Sequence, residues 1–112
     1  MKIVTFNLRM ETAADGPHRF TARRDAIIDR IRREKPDILG FQEALPEMYA
    51  YLRERLPGYT FVGHGRSERY RGEANPIAFL RGRFDLKAYR TRWLSSTPEL
   101  PGSRFPEDQS IC

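Results

Sequence analysis

Two polar side chains stand where β-type apolar runs end. Asn7 closes Lys2-Ile3-Val4-Thr5-Phe6-Asn7, and Glu43 closes Asp37-Ile38-Leu39-Gly40-Phe41-Gln42-Glu43. A carboxylate in such a place can hold a hard cation, Mg²⁺ or Mn²⁺. Mg²⁺ in particular often takes only one or two protein carboxylates, with water and substrate phosphate completing its shell. A carboxamide beside it can orient that ligand or donate to a phosphate oxygen. Sites in α/β proteins gather at the carboxyl ends of strands, where loops leave the sheet. If the two strands are parallel, Asn7 and Glu43 share that end. Spacing by itself leaves a second reading open, in which both residues cap strand ends and satisfy loop amides.

The elements that must position this pair can be read along the chain. Residues 3–8 are β-branched and aromatic with few charges, which predicts a first strand. Asp15-Gly16-Pro17 marks a loop. Residues 21–35 turn helical, with Phe20, Ile27, Ile28 and Ile31 on one face and Arg23, Arg30, Arg33 and Glu34 outward. Thr21 is the expected N-cap and Pro36 the stop. Residues 37–43 form a short apolar second strand, a pattern that predicts cover on both faces. Strand, helix, strand implies a right-handed crossover and a parallel pair. By alternation Asn7 shares a face with Ile3 and Thr5, and Glu43 shares one with Leu39 and Phe41.

Pro46 opens a second helix to about Leu56, with Leu45, Met48, Tyr49, Leu52 and Leu56 as its packing face, and Pro57-Gly58 ends it. Residues 59–63 predict a third strand and 64–72 an arginine-rich loop carrying Arg66, Arg69 and Arg71. Residues 75–81 predict a fourth strand and 84–94 a long fifth one. Residues 95–108 read as loop, and Gln109-Ser110-Ile111-Cys112 as the opening of a further strand.

Composition narrows the function classes. At 112 residues, 39% apolar and 31% charged, the chain fits one folded domain at most. No run approaches the ~20 apolar residues of a membrane span. No apolar leader follows the start, so a cytoplasmic location is expected. The lone cysteine, Cys112, excludes an internal disulfide. The net charge is +5, nearly all of its cations arginine, whose planar fork pairs two hydrogen bonds with one phosphate. That balance fits a phosphoester substrate, small molecule or nucleic acid. It also fits a solvated basic surface. A non-catalytic module that holds phosphate or nucleic acid through Arg66, Arg69 and Arg71 is the competing reading, with Tyr70 as its only interleaved aromatic.

Four stretches resemble the endonuclease/exonuclease/phosphatase (DNase I-like) family. They are Ile3-Val4-Thr5-Phe6-Asn7-Leu8-Arg9, Lys35-Pro36-Asp37-Ile38-Leu39-Gly40-Phe41-Gln42-Glu43, Gly72-Glu73-Ala74-Asn75-Pro76-Ile77-Ala78-Phe79-Leu80-Arg81 and Trp93-Leu94-Ser95-Ser96-Thr97-Pro98. The resemblance implies a four-layered α/β-sandwich that hydrolyses phosphodiesters or phosphomonoesters with Mg²⁺ or Mn²⁺. It assigns Glu43 as the metal ligand and Asn7 as the amide that helps build the metal and phosphate site. It places Asn75 and Arg81 on a strand bordering the cleft, and gives the loop residue His64 no catalytic part. The family's later Gly-Asp-x-Asn and Ser-Asp-His motifs have no counterpart here. Residues 1–112 are therefore expected to be the N-terminal half of such a domain, with little or no turnover alone. The resemblance leaves substrate and oligomeric state open.

Overall fold

The computed structural model describes residues 1–106. It contains β1 (Ile3–Asn7), a short 3₁₀ segment (Ala13–His18), α1 (Phe20–Glu34), β2 (Ile38–Gln42), α2 (Pro46–Arg55), β3 (Tyr59–Val62) and β4 (Ile77–Leu80). The four strands make one sheet in the order β1-β2-β4-β3. β1 and β2 are parallel, in the register Ile3 to Ile38 through Asn7 to Gln42. β4 runs antiparallel to both β2 and β3. The carboxyl ends of β1, β2 and β3 therefore meet the start of β4 at one edge of the sheet.

One face of the sheet carries the core. Leu39, Phe41 and Ala78 are buried against Phe20, Ile27, Ile28 and Ile31 of α1 and Met48 and Leu52 of α2. These helical residues recur every three or four positions, so each helix turns one apolar stripe inward. The other face is open. Ile3 is 66% exposed and Ile77 49% exposed there. In β2, buried Leu39 and Phe41 alternate with half-buried Ile38, Gly40 and Gln42. The expected double-sided cover of this strand is thus corrected: both helices pack on the same side.

Other boundaries also moved. α1 begins at Phe20 with Arg19 as N-cap and no capping side chain. Thr21 lies inside the first turn, where its backbone N–H and its hydroxyl both donate to the Glu11 carboxylate (2.9 and 2.7 Å). A carboxylate from a neighbouring segment thus takes over the expected work of Thr21, satisfying an otherwise unpaired helix N–H. Arg23 does not simply face outward. Its guanidinium reaches back to the Leu8 carbonyl at 2.9 Å and ties the helix to the end of β1.

The expected fifth strand is absent among the described residues. Residues 85–93 have no ladder partner, and only an isolated bridge joins Arg81 to Phe84. β-propensity alone does not make a strand, because its backbone groups need an adjacent strand to pair with. The residues expected to open a further strand, 109–112, lie outside the described residues. No described helix is long and apolar enough to cross a membrane.

Candidate functional site

Asn7 and Glu43 meet. The Asn7 amide donates from Nδ2 to Glu43 Oε1 at 3.2 Å. The Met10 backbone N–H donates to Glu43 Oε2 at 3.0 Å. The other end of the Asn7 amide accepts from the Arg9 N–H at 2.8 Å, which closes a tight turn after β1. Both strand ends are thereby cross-linked through one carboxylate, and Leu8 N donating to the Gln42 carbonyl (3.1 Å) continues the β1–β2 ladder beneath it.

Alternation alone would not have produced this contact. Asn7 pairs with Gln42 in register, and extending β2 by one residue would send Glu43 to the helix side with Leu39 and Phe41. Instead Glu43 leaves the strand with φ of 60°. This left-handed turn redirects the side chain across the strand end. Among the described residues four non-glycines have positive φ: Arg9, Lys35, Glu43 and Tyr70. Lys35 is the left-handed C-cap of α1, which accounts for it. The other three lie in the loops at the sheet edge where Asn7 ends. Strain of this kind costs free energy and concentrates at functional sites.

The carboxylate is held ionised. The Met10 N–H, the Asn7 amide and the nearby Arg9 guanidinium lower the Glu43 pKa, against a partial rise from desolvation. Each Glu43 oxygen accepts one of these hydrogen bonds, and a carboxylate oxygen has two lone pairs, so each retains one for a cation. Among the described residues no three His, Cys, Asp or Glu side chains converge. The centre therefore offers one carboxylate flanked by an amide, a donor set suited to an ion that keeps most of its water. Arg9 itself is steered by Asp15, through Nε to Oδ2 at 3.0 Å and Nη2 to Oδ1 at 3.3 Å.

The sheet and its helices are shared with known proteins. The sequence model of the endonuclease/exonuclease/phosphatase family matches residues 4–102. The chain belongs to that family. The endonuclease/exonuclease/phosphatase from Bacteroides vulgatus superposes with a TM-score of 0.89 at 28% identity, over 96% of this chain and 41% of that one. The mannosyl-6-phosphatase Bt3783 of Bacteroides thetaiotaomicron superposes with a TM-score of 0.87 at 28% identity, over 95% of this chain and 41% of that one. An uncharacterized protein, L388, of Acanthamoeba polyphaga mimivirus is 30% identical over 96% of this chain and 44% of its own length. The fold is thus that of the DNase I-like α/β proteins, and this family member spans about two fifths of the relatives' length.

The remaining predicted residues of this family member fall in different places. Asn75 precedes β4, next to Ala74, which is bridged to Ala44 directly after Glu43. Arg81 follows the far end of β4, because that strand runs against β2; its guanidinium reaches the Tyr59 carbonyl at 3.4 Å. Arg81 thus borders the opposite end of the sheet from Glu43. Of the three loop arginines, Arg66 is bound to Glu73 at 2.9 Å. Arg69 and Arg71 are exposed. Sequence reasoning missed the Met10 N–H, since a backbone donor carries no signature, and missed Arg9, which the Asn7-Leu8-Arg9 run displayed openly.

Proposed function

We propose that the domain containing this chain is a divalent-metal-dependent phosphoesterase and that Glu43 and Asn7 form part of its centre. The carrying observation is the Asn7–Glu43 contact at the carboxyl edge of the sheet, fixed by a left-handed turn and a backbone N–H. Glu43 would hold Mg²⁺ or Mn²⁺, and the Asn7 amide would keep that carboxylate oriented. When bound, such a cation neutralises phosphate charge and stabilises the leaving oxygen. The Glu43 carboxylate stays charged into mildly acid solution because two N–H donors and Arg9 favour its ionised form. Arg9, oriented by Asp15, would add a positive charge near Glu43 for a substrate phosphate.

The neighbouring carboxylate, Asp15, is engaged by the Arg9 guanidinium. Together with the two-fifths coverage of the relatives, this supports reading residues 1–112 as a contributor to a longer active domain. The open sheet face, with exposed Ile3 and Ile77, fits a surface that further chain would cover. Titration calorimetry of this chain with Mn²⁺ is the direct test. Binding that disappears in Glu43→Gln supports the reading; equal binding in both proteins refutes it. Mg²⁺-dependent hydrolysis of a generic phosphodiester by residues 1–112, lost on Glu43→Gln, would overturn the inactive-half part alone.

A further inference from the structure

The chain's single tryptophan forms the floor of an aromatic block in the loops that follow β3. Trp93 is buried, and its Nε1 donates to the Arg66 carbonyl at 2.6 Å. Its ring lies 5.6 Å from that of His64, with the planes only 25° apart. The Tyr70 ring meets His64 edge-on at 4.2 Å and lies 6.2 Å from Trp93. The block runs from buried Trp93 through His64 to Tyr70, which is 53% exposed.

The loop that carries Tyr70 is held in shape. Gly65 N donates to the Tyr70 carbonyl, Tyr70 N to the Ser67 carbonyl and Ser67 N to the Arg71 carbonyl. The Arg66–Glu73 ion pair closes the base. Tyr70 has φ of 58°, an outlier for a bulky side chain, so the loop presents this ring against backbone preference. A cavity of about 230 Å³ opens beside it, with Ala44, Arg53, His64, Tyr70 and Gly72 in its wall. Ala44 immediately follows Glu43 in the chain, so one wall residue of this cavity is the sequence neighbour of the proposed centre. Arg69 and Arg71 flank Tyr70 in the chain, and neither forms an ion pair with a described residue.

An exposed ring backed by further rings, with an arginine before and after it in the chain, suits a planar base attached to phosphate. Every nucleobase has a π-face, and stacking on an aromatic ring is tolerant of base identity. We propose that Tyr70, supported by His64 and Trp93, is a nucleobase-stacking site, so that the phosphoester substrate is a nucleotide or single-stranded nucleic acid. This rests on the reading of Glu43 as the reacting centre. It extends that reading by naming the group attached to the phosphate.

Trp93 supplies the readout, because no other tryptophan contributes to the emission. Without metal, AMP is expected to change Trp93 emission saturably, and ribose 5-phosphate at the same concentrations is not. Tyr70→Phe should bind AMP as the parent does, and Tyr70→Leu about tenfold more weakly. A thymidine hexanucleotide that binds more tightly than AMP assigns the site to single-stranded nucleic acid. Equal affinity assigns it to free nucleotides, and both outcomes support the base site. Ribose 5-phosphate binding as tightly as AMP, an unchanged Tyr70→Leu protein, or no response to either base-bearing probe overturns it. Mn²⁺ binding lost in Glu43→Gln while the AMP response fails would leave the centre standing and the base site refuted. The reverse pattern would refute the centre alone.

Discussion

Glu43 holds its position against backbone preference, and this has a measurable consequence. With φ of 60° it occupies the left-handed region, which costs a non-glycine residue roughly 1–2 kcal/mol. Its carboxylate recovers part of that through the Met10 N–H and Asn7 Nδ2. Hydrogen bonds to charged groups contribute about 1.5–3 kcal/mol each when well shielded. Glu43 is only partly buried, so solvent screening reduces the two together to roughly 1–2 kcal/mol. Glu43→Ala loses both bonds and keeps the left-handed cost. Glu43→Gly loses the same bonds but removes that cost. The glycine variant should therefore be more stable than the alanine variant by about 1 kcal/mol, the reverse of their order in ordinary backbone. For a domain of this size that is a difference of about 4 °C in Tm. Paired thermal melts followed by circular dichroism measure it, and neither variant should bind Mn²⁺. An alanine variant as stable as the glycine variant, or more so, would refute the argument that the turn at Glu43 is strained in favour of the site.

Two further outcomes follow from the same structure. Glu11, Asp15, Glu34 and Glu43 all have lowered pKa values, led respectively by hydrogen bonds from Thr21, Arg9, Lys2 and Met10. A carboxylate depressed on folding stabilises the fold above its unfolded value of roughly 4. That contribution is lost as pH falls through the lower folded value. The melting temperature should thus be level above about pH 5 and decline steadily below pH 4; a decline already complete at pH 5 would contradict these assignments. In the aromatic loop, a Cβ on Gly65 would lie 2.2 Å from the Arg71 carbonyl oxygen and 2.6 Å from that of Tyr70. Gly65→Ala should accordingly shift Trp93 emission to the red and weaken AMP binding, with the helical circular dichroism signal retained; unchanged emission would show that the loop is not locked there.

The legibility of this fold was uneven for physical reasons. Ile27, Ile28 and Ile31, and Met48 and Leu52, betrayed their helices because a helical period must bring apolar residues to one side whatever they pack on. The parallel β1–β2 pair followed from a helix intervening between two short apolar runs. Residues 84–94 misled because alternation records only a side-chain pattern. A strand also needs a partner for its amides, and no sequence window shows whether one is adjacent. Thr21 misled in a related way, since the better acceptor, Glu11, stands ten residues away.

The candidate centre divides along the same line. The types and positions of Asn7 and Glu43, at the ends of two apolar runs, were enough to place a carboxylate and an amide at a sheet edge, while spacing alone left a cation site and a strand-capping role both open. Their contact depended on the backbone reversal at Glu43 and on the Met10 N–H, which exist only once both strands are in register. The Arg66, Arg69 and Arg71 loop showed a single aromatic neighbour along the chain. Folding brought His64 and Trp93 beneath Tyr70, because residues 29 apart in sequence pack against the same loop. Local sequence thus determined which chemistry was available, and tertiary structure decided which groups met, since long-range contacts are set by the whole core.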